Sequence, residues 1–200
     1  MLGRWRRLAG GVMVLCTVAR LAFADGAPLV LFDFEGSAQE WEVPDWEKVS
    51  RDYVSQGLSL SDTVASHGRE SLQLLGDFPG AGRWSAVYAE RETRVTDWNA
   101  YDALAMDVYL PADAPRGLAA RIVLTVGKQW QWTEQNRAVE LVPGRWTTLT
   151  VHLKPGSMDW KFFPDDAFRR TVHKIGIRIE SDKAPAYTGS VLIDHVRLAD

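Results

Sequence analysis

Apolar residues in this chain recur at every second position far more often than at every third or fourth. Val30, Phe32 and Phe34 mark one face of a first run, Leu104, Met106, Val108 and Leu110 of a second, and Ile122, Leu124 and Val126 of a third. The pattern returns at Leu149, Val151 and Leu153, at Ile175, Ile177 and Ile179, and over Val191 to Leu198. A period of two signals half-buried strand, because successive side chains leave opposite faces of the pleat. Breaks fall at 79–82, 111–115, Pro143-Gly144 and 154–156, all rich in the proline and glycine that turns require. Only Asp165 to Arg170, after Pro164, reads as a helical turn. About ten strands with one-sided patterning predict an all-β chain. Its two antiparallel sheets pack face to face as a β-sandwich or jelly roll, in one domain over residues 25–200.

If the alternating aliphatics face the core, their neighbours face away. Trp84, Tyr88 and Glu90 flank Val87 and Ala89; Asp107 and Tyr109 flank Met106 and Val108; Arg121 and Thr125 flank Ile122 and Leu124. Lys174, Arg178 and Glu180 alternate with the three isoleucines, and Thr148, Thr150 and His152 with Leu149 and Val151. Rings beside guanidinium groups and carboxylates suit sugars. A pyranose has an apolar C–H face that stacks on an aromatic, and hydroxyls that need donors and acceptors. Any one of these residues is as readily a solvated side chain on an exposed strand.

The stretch Gly127-Lys128-Gln129-Trp130-Gln131-Trp132-Thr133-Glu134 poses the question sharply. In an unbroken strand Trp130 and Trp132 stand on one face, roughly 7 Å apart. Counting on from Val126 puts both in the core, whereas a turn at Gly127-Lys128 resets the count and leaves a platform. Gln129, Gln131 and Thr133 make a poor opposite face for a buried strand, which favours the platform. Trp41 and Trp146 read as structural and Trp98 sits in a turn. Trp46 and Trp160 lie in long loops that border either a cleft or a sheet edge.

Arg4, Arg6 and Arg7, the apolar run Leu8 to Ala19, and Ala22-Phe23-Ala24 read as a secretory signal peptide cleaved after Ala24, so a secreted or periplasmic protein is expected. The run is short for a bilayer, and no membrane insertion is expected. Removing the four arginines of residues 1–24 from 23 basic residues leaves 19 against 26 acidic ones, a formal charge of −7. That balance excludes nucleic acid as a natural partner. The single cysteine, Cys16, lies in the leader, so stability must come from the core and not from disulfides. No catalytic constellation emerges. His67, His152, His173 and His195 lack metal-ligand spacing, and Glu90, Asp107, Glu134 and Glu180 form no close acidic motif. Nothing ties Tyr109, His152 and Arg178 into a lyase site.

Four segments resemble, in order, the galactose-binding-like β-sandwich and in particular the carbohydrate-binding modules attached to bacterial cellulases and mannanases. They are Leu31 to Gly36, Ser66 to Leu72, Trp98 to Leu104 running on to Asp107-Val108-Tyr109, and Val191 to Leu198. The resemblance implies a jelly roll with a shallow cleft on its concave sheet, and a structural calcium for which Asp33, Glu35 and Asp194 match the acidic positions. The expected activity is non-catalytic binding of a polysaccharide or glycan. Trp130 and Trp132 would stack, extended by Trp84, Tyr88 and Tyr109, while Asp107, Arg121, Arg178 and Glu180 bond hydroxyls. A jelly-roll glycoside hydrolase or polysaccharide lyase, or a structural or protein-interaction subunit of an envelope assembly, are the alternatives. A partner enzyme or envelope protein is not identified by any residue.

Overall fold

A computed structural model of the chain describes residues 27–80, 82–162, 164–181 and 185–200. The expected leader and its cleavage site after Ala24 lie outside the described residues. In chain order the strands are β1 (Leu29–Phe32), β2 (Ser55–Ser61), β3 (Ser71–Phe78), β4 (Ser85–Glu92), β5 (Ala103–Leu110), β6 (Leu118–Val126), β7 (Gln131–Glu134), β8 (Val139–Glu140), β9 (Arg145–His152), β10 (Val172–Ser181) and β11 (Tyr187–Ala199). The one α-helix among the described residues, α1 (Asp166–Arg170), begins where the sequence places a helical turn, and the Asp165 carboxylate accepts the Phe168 N–H at its N-cap.

The strands form the two antiparallel sheets of a β-sandwich. A six-stranded sheet runs β2-β3-β11-β5-β9, with β1 beside the C-terminal half of β11. A five-stranded sheet runs β4-β10-β6-β7, with β8 on β6. The aliphatics that alternate in sequence meet between the sheets. Leu104, Met106, Val108 and Leu110 of β5 and Leu149 and Val151 of β9 oppose Ile122 and Leu124 of β6 and Ile175, Ile177 and Ile179 of β10, all fully buried. Among the described residues no helix is long and apolar enough to cross a membrane.

The first strand departs from simple alternation. It ends at Phe32, and a bulge between Val30 and Phe32 leaves Val30 exposed instead of in the core. Phe34 follows with a positive φ of 57° and is fully buried; with Phe32 it packs edge-on against Trp41, ring centroids 5.8 and 5.5 Å away. Trp98 and Trp160 are also fully buried, their indole N–H groups bonded to the carbonyls of Val95 and His152. Trp160 is therefore a core residue and borders no cleft.

Candidate functional site

The outer face of the five-stranded sheet is built by register. Tyr88, Arg178 and Arg121 stand in one row across β4, β10 and β6. The next row holds Glu90, Gly176, Val123 and Glu134, and the one after it Glu92, Lys174, Thr125 and Trp132. Past an irregularity between Val172 and Lys174, β10 alternates regularly, so its three isoleucines point inward and Lys174, Arg178 and Glu180 outward, as the period of two requires.

Charged side chains on this face bond to one another. Arg178 reaches Glu134 Oε2 through Nη1 at 2.6 Å and Glu180 Oε2 through Nη2 and Nε at 3.1 Å. Arg121 donates from Nε to Glu180 Oε1 at 2.9 Å and from Nη1 to the carbonyls of Gln135 and Asn136, both at 2.9 Å. Glu134 also pairs with Lys161, and Glu90 with Lys174 at 2.6 Å. Burial pushes Glu134 up, but its hydrogen bonds from Lys161 and Arg178 overcome this and hold it below the usual carboxylate range. Arg121, Arg178 and Glu180 thus form an ion-paired floor, with most of their hydrogen-bonding capacity already taken.

Aromatic rings lie over this floor. Tyr88 is buried, its hydroxyl donating to Glu90 Oε2 at 2.9 Å; burial and then the Glu90 charge drive its pKa well up. Gly176 makes room for it, since a Cβ there would sit 2.2 Å from the Tyr88 oxygen. The Trp132 ring lies 5.2 Å from Tyr88, and Trp46, from the segment after β1, lies 5.4 Å from Tyr88 and 6.2 Å from Trp132. Tyr53 packs edge-on against both Trp46 and Trp84, and the Arg178 guanidinium sits 5.7 Å from the Trp84 ring. Trp46 and Trp132 keep 41% and 39% of their surface exposed. Beside them a cavity of about 450 Å³ is lined by Trp132, Thr133, Glu134, Lys161 and the exposed Phe162.

The turn that resets the strand count is present. Gly127 and Trp130 both take positive φ, the Trp130 N–H bonds to the Gly127 carbonyl, and β7 starts only at Gln131. Thr133 then faces inward and Trp132 outward. The two tryptophans are both exposed but do not share a platform, because Trp130 stacks flat on His173 at the turn, centroids 4.1 Å apart and planes 4° apart.

Asp107 and Tyr109 belong to β5 and point away from the five-stranded sheet altogether. On the outer face of the six-stranded sheet, Asp107 accepts from Thr148 Oγ1 (2.7 Å), Ser66 Oγ (3.0 Å) and Arg197 Nη1 (3.2 Å), while Tyr109 packs on Trp146. Trp84, Tyr88, Arg121, Trp132, Arg178 and Glu180 are brought together; Trp130, Asp107 and Tyr109 are not. A single alternating pattern distinguishes in from out but not one outer face from the other, so β5 and β10 read alike in sequence.

The carboxylates expected to hold calcium do not form a shared donor set. Asp33 Oδ1 accepts from Gln39 Nε2 and the Glu35 N–H, and Glu35 Oε1 from the Arg69 and Glu70 N–H groups, which pull the Glu35 pKa down. Asp194 Oδ2 accepts the Ser66 and His67 N–H groups at 2.8 and 3.0 Å. Each carboxylate anchors loop backbone. Among the described residues no three His, Cys, Asp or Glu side chains are placed to share a metal ion. Missing from the sequence reading were Tyr53, Lys161 and Phe162, which lie outside the alternating strands and gave no periodic signal.

No family model matches the sequence, and no curated relative matches it. Solved structures do match in fold. CBM28, described as a carbohydrate-binding module specific for non-crystalline cellulose, superposes with a TM-score of 0.61 at 17% identity, over 88% of this chain and 96% of its own. CBM27-1 of Caldicellulosiruptor saccharolyticus, in complex with mannohexaose, gives 0.58 at 16% identity, over 86% and 96%. A third, from work on the promiscuous specificity of carbohydrate-binding modules of the β-sandwich superfamily, gives 0.56 at 12% identity; it covers 86% of this chain, which spans 62% of that longer one. At these identities the likeness is one of fold: this chain has the β-sandwich of carbohydrate-binding modules.

Proposed function

We propose that this protein binds a polysaccharide or glycan, without cleaving it, on the outer face of the five-stranded sheet. The observation that carries this reading is a set of exposed rings, Trp46 and Trp132, held over a floor of ion pairs. Tyr88 and Trp132 touch although two strands lie between β4 and β7, and three strand spacings are about 14 Å. That contact supports a concave sheet whose edges curl towards each other around a chain-shaped ligand. The apolar faces of sugar rings would stack on Trp46 and Trp132, with Phe162 and the half-exposed Lys161 extending the contact along the adjoining cavity. Glu90, Glu134 and Glu180 are each ion-paired, which supports binding over acid–base chemistry. Fold neighbours that are carbohydrate-binding modules support the same reading, and the leader-like residues 1–24 support secretion or the periplasm as its place of work.

Affinity electrophoresis through gels containing mannan, xylan, mixed-linkage glucan, a cellulose derivative or alginate tests the proposal. Retardation by one polymer, lost in folded Trp46→Ala and Trp132→Ala variants, is the expected result. Migration unaffected by every polymer would overturn it, and release of reducing ends would replace it with a hydrolase.

A further inference from the structure

The segment that carries Trp46 is tied to the sheet by one buried acid. Trp46 leads into a short 3-10 turn, Glu47–Val49, whose other residues are exposed while Glu47 keeps only 2% of its surface. The Glu47 side chain enters a gap in the edge of the five-stranded sheet. Along β4 the backbone of Ala86 is bridged by the segment at Asp52–Val54, and that of Glu90 by Glu42. Between them the Tyr88 N–H has no such backbone bridge. It meets Glu47 Oε1 and Ser55 Oγ, each at 3.2 Å, and Ser55 Oγ in turn donates to Glu47 Oε1. The second oxygen, Oε2, is buried with no hydrogen-bond partner. One carboxyl therefore holds the backbone of Tyr88 and the turn behind Trp46, two of the rings on the proposed site.

We propose that Glu47 is a positioning residue, whose carboxyl sets Trp46 and Tyr88 for stacking and whose protonation is coupled to glycan affinity. This rests on the glycan-binding reading above. Burial pushes the Glu47 pKa up from the usual carboxylate range to about 7, against the hydrogen bonds from Ser55 and Tyr88. The groups around it leave that burial uncompensated. From β2 and the residues before it come Ser55 and Tyr53, and from β4 comes Tyr88, whose hydroxyl is bonded to Glu90. Asp77 of β3 lines the same cavity of about 290 Å³, Lys48 turns outward to Asp45, and Arg178 is taken by Glu134 and Glu180. Among the described residues no cation is ion-paired with Glu47. The neutral acid suits this site. Its ionisation places a charge with one unsolvated oxygen at the sheet edge, and the nearest relief is for the turn to swing into water, taking Trp46 with it. Affinity falls as pH rises through neutrality, and by linkage ligand raises the Glu47 pKa.

Calorimetric titration of the full chain with the polymer that retards it, from about pH 5.5 to 8.5, tests this. Wild type is expected to weaken about fivefold, at the low end of couplings between linked groups, and Glu47→Gln by less than about twofold. A flat wild-type profile, or an equal slope in Glu47→Gln, overturns the proposal. If no polymer binds, the glycan reading fails and Glu47 is read without ligand. Near-ultraviolet circular dichroism of wild type should then change with a midpoint near 7, and the change should vanish in Trp46→Phe. An invariant spectrum overturns the positioning role. Should Glu47→Gln not fold, Ser55→Ala serves: loss of a donor to the ionised form moves either midpoint up, and an unmoved midpoint counts against Glu47.

Discussion

The two outer faces of this sandwich are made from the same kinds of side chain and are organised differently. On the six-stranded sheet, Asp107 and Asp194 turn their oxygens to the Ser66–His67 backbone and hydroxyl, to Thr148 and to Arg197, so charge is spent holding a loop and a strand end. His195, beside Asp107 at 3.6 Å and stacked on His67, has its pKa lowered by burial and then by Arg197. On the five-stranded sheet the charges pair laterally, strand to strand, and rings remain exposed above them. Composition is shared; what separates the faces is how far ring surface stays open once the polar groups are satisfied, half-buried at Tyr109 and Trp146 on the one and exposed at Trp46 and Trp132 on the other.

The largest expected effect lies in the floor. Arg178→Ala removes the cation that buried Glu134 and half-buried Glu180 share, leaving them only Lys161 and Arg121, and should cost about 2–3 kcal/mol in urea denaturation. A loss below about 1 kcal/mol would mean the network is wetter than its burial indicates. Next come the rings. Trp132→Ala or Trp46→Ala should weaken glycan binding by about 2 kcal/mol, roughly 30-fold in Kd, with the thermal midpoint nearly unchanged. A variant that lost stability instead of affinity would turn the platform into core.

On the other face the signs reverse. Asp107→Asn should lower stability by about 1–2 kcal/mol, because Arg197, Ser66 and Thr148 lose a charged acceptor, and should leave Kd alone. Equal losses of affinity on both faces would abolish the distinction between them.

Alternation made the core legible. Met106, Ile122, Leu149 and Ile177 could be placed inside from sequence because a slip of one residue would have put each in water. Two kinds of feature were not legible. Which sheet a strand joins depends on pairing between residues far apart in the chain: β5 neighbours β9 and β11, and nothing in Asp107 or Tyr109 records that. Bulges and loops are the other. Val30 is turned out by an irregularity that its apolar neighbours do not announce, and Trp46, Tyr53 and Phe162 reach the site from segments without a period. The acidic residues of the resemblance, Asp33, Glu35 and Asp194, are a third kind: each accepts backbone N–H groups, and a carboxylate that caps backbone and one that binds a cation look the same in sequence.

The smallest effect belongs to Trp130, 52% exposed and two residues from Trp132. Its ring stacks on His173, which is itself bonded through Nε2 to the Gly127 carbonyl at 2.8 Å, so the pair closes the β6–β7 turn. Trp130→Ala removes this stacking and should cost about 0.5–1.5 kcal/mol of stability, with glycan affinity changed by less than about twofold. Trp130 also sits at φ 53°, where a side chain costs roughly 1 kcal/mol or more that glycine does not incur. Trp130→Gly should therefore be the less damaging variant of the two, the lost stacking partly offset by relieved backbone. Thermal unfolding of both, beside the Kd of each, separates the roles: a deep loss of affinity in either would join the turn to the platform, whereas the expected order, Gly above Ala in stability and both close to wild type in binding, keeps Trp130 as a clasp and Trp132 as the surface it holds in place.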